Sequence, residues 1–216
     1  MPPSASISFR ATCLRALIYI LLTGALMQGV YYEALYLPDT RFTERGFTEL
    51  AQSLLLALAS ALLIYARYGV KRMPQVTLLM FGFLFSSFIR EQDSYLDTYV
   101  FDGAWQVLVT FVVLPCLIQV IRRRHDFVRE FECYSNTFSF GLFAAGFLTT
   151  YAFSRLYGRS EVWMAILGDH YARTFKDAAE EVTELFGYAL LLFAVIELVL
   201  LARRWRVSRN ASAPQT

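Results

Sequence analysis

The residues able to do chemistry in this chain are its acids, and they are unevenly placed. After Ser86, residues Arg90, Asp93 and Asp97 follow at i+4, i+7 and i+11, which is one face of a helix, with Glu91 beside them. A second series, His170, Arg173, Asp177, Glu181, Glu184 and Tyr188, recurs at intervals of three or four. Glu49/Gln52 and Asp102/Gln106 open two further segments as polar pairs, while Glu33 and Glu197 stand inside apolar runs. Carboxylates so grouped hold a hard divalent cation, exchange protons, or form ion pairs with arginine. Asp93, Asp97, Glu181 and Glu184 are the candidate metal ligands, and a divalent cation is the one cofactor the pattern admits. His170 is a further ligand or a general base, set against the plainer role of a solvated loop residue. Arg90 and Arg173 suit an anionic group such as a lipid phosphate. The candidate polar pocket is therefore Glu33, Glu49, Arg90, Glu91, Asp93, Asp97, His170, Arg173, Glu181 and Glu184.

Other chemistries are excluded by what accompanies these residues. A zinc site needs mainly His and Cys, and the second histidine, His125, falls at the opposite end of the predicted bundle. Cys13, Cys116 and Cys133 form no pair at metal-motif spacing. Nucleophile-elbow, dinucleotide, P-loop, haem and Ca-loop motifs are absent. Arg122–Arg123–Arg124 reads as an anionic-lipid anchor rather than a nucleic-acid patch. No reaction can be assigned from these residues.

The elements that must position the site are membrane-length helices. Of 216 residues, 56% are hydrophobic and 18% charged, far from the roughly 25% charged of a soluble domain. The excess falls in six continuous runs, about 16–37, 50–68, 74–93, 102–121, 138–155 and 181–202, with 203–216 as a polar tail. Continuous rather than alternating runs exclude a β-barrel. The expectation is an all-α, polytopic, six-helix bundle forming one membrane domain. The first run is read as a retained span, because no small-x-small cleavage site interrupts it. The third is short: Pro74 to Ile89 gives about 24 Å of helix, so a crossing carries Arg90, Glu91 and Asp93 into the membrane boundary. Gly141, Ala144, Ala145 and Gly146 mark a close-packing surface, and Ser160 opens a short interfacial helix that breaks at Gly168.

Charge sets the direction. Thirteen Lys and Arg residues, among them Arg10, Arg15, Arg67, Arg122 and Arg203, lie on one side, against seven on the other. The positive-inside rule makes both termini cytoplasmic. The Asn210–Ala211–Ser212 sequon then sits on the wrong side for glycosylation. With 18 Arg against 2 Lys, the composition points to a GC-rich bacterial source and its inner membrane. Acids show the reverse asymmetry, three inside and 13 outside, which topology does not require. The functional expectation is an outward-facing acidic and arginine pocket at head-group depth that handles a lipid head group or a cation. The competing readings are an accessory subunit with a structural salt-bridge network, and a small proton- or cation-coupled transporter. A cysteine placed near Gly158 is expected to react with a membrane-impermeant maleimide from outside, and one in the C-terminal tail is not. The opposite pattern inverts the topology.

Overall fold

The computed structural model describes residues 8–36 and 46–211, with side chains as far as Val207 in the last helix. The expected end of the first span at Leu37, Arg41 and Arg45, which the charge count assigns to the outer side, and Ser212 of the sequon fall outside them. The described residues are helix and turn, with no strand among them. In chain order the helices are α1 (Phe9–Tyr36), α2 (Phe47–Tyr65), α3 (Pro74–Arg90), α4 (Asp93–Tyr99) and α5 (Ala104–Arg122). Then come α6 (Arg124–Ser135), α7 (Phe138–Phe147), α8 (Ser154–Tyr157), α9 (Ser160–Leu167) and α10 (Arg173–Ala211). Phe9–Tyr36, Phe47–Val70, Ala104–Arg122 and Arg173–Val207 are long and apolar enough to cross a membrane. Of the six expected runs, the other two differ: Pro74–Arg90 is apolar but shorter, and a π-helical turn, Leu148–Phe153, joins α7 to α8.

Helix α10 is the axis. Its 39 residues make about 58 Å of helix, and α7, α2, the π turn and α8 pack around it. Leu191, Ala194, Val195 and Leu198 are fully enclosed. Close contact of the helices underlies that packing. Small residues permit that contact. A Cβ on Gly146 would stand 2.9 Å from the Gly187 carbonyl, and one on Gly187 would stand 1.9 Å from Thr150 Oγ1. Of the expected small-residue surface, Gly146 meets α10, while Gly141 has open space around it.

One boundary overturns an expectation. Helix α3 ends at Arg90, Glu91 and Gln92 turn, and α4 starts afresh at Asp93. The series Ser86, Arg90, Asp93 and Asp97 is therefore split between two helices and shares no face. Asp93 instead occupies the first turn of α4, where exposed N–H groups favour an acid, and its Oδ1 accepts from Ser94 N at 2.7 Å. Asp97 Oδ1 accepts from Gly103 N at 3.0 Å. That bond closes the turn into α5 at a φ of +82°, which glycine adopts without strain.

The start of α3 is capped from elsewhere. Its N-cap residue, Met73, is left-handed and offers no side-chain acceptor. Glu130 on α6 supplies one: its Oε2 accepts from Gln75 N at 2.7 Å and from Val76 N at 3.0 Å. Burial pushes the Glu130 carboxyl above its ordinary value, and the two N–H donors offset part of that rise. A folded-state value above the unfolded one means the native state binds the proton more tightly. Stability is then lost as pH rises from the ordinary carboxylate value through the folded one. Glu130→Gln keeps an acceptor and is expected to flatten that slope in thermal unfolding as pH rises above the ordinary carboxylate value. Glu130→Ala, which leaves both donors unanswered, should cost about 1 kcal/mol. An unchanged slope in Glu130→Gln refutes the assignment.

Candidate functional site

The site is built on the first turns of α10 inside the bundle. Glu180, Glu181, Glu184 and Tyr188 emerge there because the helix runs unbroken from Arg173. Glu184 is 3% exposed and Tyr188 1%. A charge at such depth needs an answer, and three neighbouring elements supply it. The π turn re-phases the α7–α8 helix, so that Tyr151, Ser154 and Arg155 all reach across to α3 or α10. Arg155 Nη2 pairs with Glu184 Oε1 at 2.9 Å, and Nη1 pairs with Glu180 Oε1 at 2.6 Å. Ser154 Oγ stands 3.3 Å from Glu184 Oε1. From α2, Gln52 Nε2 lies 3.0 Å from both the Glu181 carbonyl and its Oε2. From the end of α3, Glu91 Oε1 accepts the Tyr188 hydroxyl at 2.7 Å, and Ser87 and Tyr151 share a hydrogen bond. Lys176 Nζ closes the rim on Glu180 at 2.8 Å.

Arg90 stands apart within this group. It is half-buried, and the charges that act on it are those of Glu91 and Glu184, with the hydroxyls of Tyr188 and Tyr151 beside it. Yet it makes no ion pair among the described residues, whereas Arg155 takes two carboxylates. Two other polar atoms at this level are enclosed without a hydrogen-bond partner, Gln52 Oε1 and Thr150 Oγ1. Buried groups of that kind are exceptional.

Of the residues nominated by sequence, the structure gathers Arg90, Glu91, Glu181 and Glu184. The rest are placed elsewhere. Glu33 is fully buried and caps α2: its Oε2 accepts from Thr48 N at 2.9 Å and from the Thr48 hydroxyl. Glu49 lies in the first turn of α2. Asp93 is exposed, and Asp97 serves the α4–α5 turn. His170 is exposed in a single 3-10 turn, and Arg173 is exposed and pairs with Asp177 at 3.7 Å. Among the described residues no three His, Cys, Asp or Glu side chains are gathered to hold a metal ion. The quartet Asp93, Asp97, Glu181 and Glu184 is divided because α4 carries its first two members away on a separate helix.

The sequence pattern left Arg155, Gln52, Tyr151, Tyr188 and Ser87 out of the pocket. Tyr188 was signalled by its i+4 relation to Glu184, and Gln52 by its pairing with Glu49. Tyr151 and Ser87 carried no signal, being one aromatic and one hydroxyl among many in apolar runs. No protein-family profile, no curated protein and no solved structure matches this chain.

The geometry is that of a filled carboxylate network beside one uncommitted guanidinium. Removing Arg155 strands Glu184. Breaking a fully buried pair costs about 3–5 kcal/mol. Because the Arg155 side chain is 41% exposed, the expected cost of Arg155→Gln is nearer to about 2 kcal/mol. Adding Glu184→Gln in the same chain removes the stranded charge and should restore most of the loss, read as a double-mutant cycle of thermal unfolding. Strict additivity shows that the pair is not coupled.

Proposed function

We propose that this chain is a six-pass membrane protein of a bacterial inner membrane, with both termini cytoplasmic. Its outward-facing polar site handles a lipid head group through the phosphate. The observation that carries this reading is Arg90, a half-buried guanidinium with no ion pair among the described residues. The carboxylates around it already have partners: Glu184 and Glu180 on Arg155, Glu181 on Gln52, Glu91 on Tyr188. A cation entering here would have to displace them, whereas an anion meets a cation with donors to spare. Arginine's planar fork matches a phosphate in two bonds. Tyr151 and Tyr188 add hydroxyls beside it. A π turn inside a helix, as found at Leu148–Phe153, is also frequent at functional sites. The six crossings include Pro74–Arg90 and the helix from Phe138 to Tyr157, both short of full apolar length and both ending at this site. A polar site at head-group depth explains why they end there.

The second reading is an accessory subunit whose charges are structural. It is favoured by Arg155 bridging two acids of one helix and by Lys176 on Glu180. The transporter reading draws no support, since Glu33 caps a helix and Asp93 lies exposed on α4, so neither continues a path from Glu184. The two supported readings separate in a calorimetric titration of the purified protein with short-chain dihexanoyl phosphatidylglycerol. Arg90→Gln is expected to weaken binding about tenfold, or about 1.4 kcal/mol, while the exposed control Arg173→Gln leaves it unchanged. Absence of binding, or equal binding by wild type and Arg90→Gln, favours the structural subunit.

A further inference from the structure

The arginine-rich end of the bundle holds a second hollow, unlike the first in every chemical respect. An apolar cavity of about 300 Å³ lies between α3, α6 and α7. Its α3 wall is Val76, Leu79, Met80 and Phe83, spaced as one helical face. Its α7 wall is Phe140, Phe143 and Phe147, again one face. The seven residue steps from Val76 to Phe83 and from Phe140 to Phe147 each rise about 10 Å, so the cavity is elongated along the helix axes. Phe127, Phe131 and Tyr134 of α6 complete the lining. Phe131 and Phe147 are 40% and 41% exposed, so the cavity opens on the flank of the bundle rather than into its core. No polar atom contributes to the lining, which excludes any ligand that must form a hydrogen bond inside.

A polar hollow adjoins the same helix. Gln119, Arg122, Arg123, His125 and Asp126 line it at the α5–α6 corner, and Arg123 stands one turn before Phe127. Asp126 is neutralised by Arg129 at 3.0 Å and Arg123 at 3.8 Å. Arg122 forms no ion pair among the described residues and is exposed. The α5–α6 corner thus presents Arg122 and Arg123 just before α6, whose Phe127 and Phe131 line the axial slot.

We propose that this corner binds an anionic phospholipid of the cytoplasmic leaflet, with its phosphate on Arg122 and Arg123 and one acyl chain in the aromatic slot. The slot lies parallel to the direction of a chain in a bilayer, and it opens to the flank from which a chain would enter. The arginines at its head complement a phosphate; of the nearby acids, Asp126 is paired with Arg129 and Arg123, and Glu130 is turned onto the N–H groups of Gln75 and Val76. A neutral apolar molecule would use the slot but gain nothing from the arginines. The site shares no residue with the Arg90 site, and it rests on the proposed orientation alone.

The test uses the full chain in nanodiscs containing phosphatidylglycerol with a diazirine in the acyl chain, cross-linked by light and mapped by mass spectrometry. Adducts are expected on the peptides holding Met80 and Phe131, with unlabelled phosphatidylglycerol competing about tenfold better than phosphatidylcholine. Leu79→Trp fills the slot and should remove those adducts while leaving thermal unfolding in place. Should that variant misfold, the double variant Arg122→Gln/Arg123→Gln, altered only at exposed positions, should abolish the preference between the two lipids. Adducts spread over the exposed faces of α1 and α5 overturn the proposal, and so does slot labelling without preference for the anionic lipid. Neither readout here depends on Arg90, and the titration of Arg90→Gln is read in the Arg122→Gln/Arg123→Gln background, so that failure at one site is distinguishable from failure at the other.

Discussion

Three carboxylates on one buried helix constrain the rest of this structure. Glu181 and Glu184 near the start of α10, and Glu197 further along it, sit where a charge has little solvent to meet. Water cannot screen them there, so each must draw a donor from a neighbouring helix. Arg155 and Ser154 answer Glu184, Gln52 answers Glu181, and Arg15 and Tyr19 answer Glu197 at 2.9 and 2.8 Å. Those donors come from α8, α2 and α1. These acids therefore tie α8, α2 and α1 to the axis.

Helix α1 shows how far polar contacts can substitute for packing. Only 6% of its apolar window is buried, so little side-chain interdigitation holds it. Two carboxylate clamps do so instead, at opposite ends. Glu197 takes Arg15 and Tyr19, whose ring also stacks on Phe193 at 4.2 Å. Glu33 reaches over to cap α2, and Gly29 leaves the space that the Phe47 ring occupies. Helix α7 is the contrasting case, seated through Gly146 and Gly187 with backbones in direct contact. One helix is tethered and the other is packed, and both solutions use the same axis.

Against that background Arg90 and Arg155 are the informative pair. Both are arginines at the same end of the bundle, yet Arg155 is consumed by Glu180 and Glu184 whereas Arg90 keeps its donors. Among the described residues no acids gather as for a metal ion, and Glu181 and Glu184 are instead held by Gln52 and Arg155. Capping accounts for much of what remains: Glu33, Glu130 and Asp97 all accept backbone N–H groups.

Periodicity and charge carried the helical class, the approximate helix positions and the concentration of acids at one end, because those depend on local pattern. Glu181 and Glu184 were legible in the same way, as successive members of one unbroken helical face. Asp93 and Asp97 were misjudged for a local reason with a tertiary cause: the chain turns at Glu91 and Gln92, and residue spacing cannot register where one helix stops and another starts in phase. Partner choice lay wholly outside the sequence. Arg15 reaches Glu197, Arg155 takes both Glu180 and Glu184, and Arg90 makes no ion pair among the described residues, because each outcome depends on the relative heights of helices far apart in the chain. Which residues are charged is a property of the sequence. Which charges meet is set by packing, since a pair inside an apolar bundle forms only where two helices bring their side chains within a few ångströms.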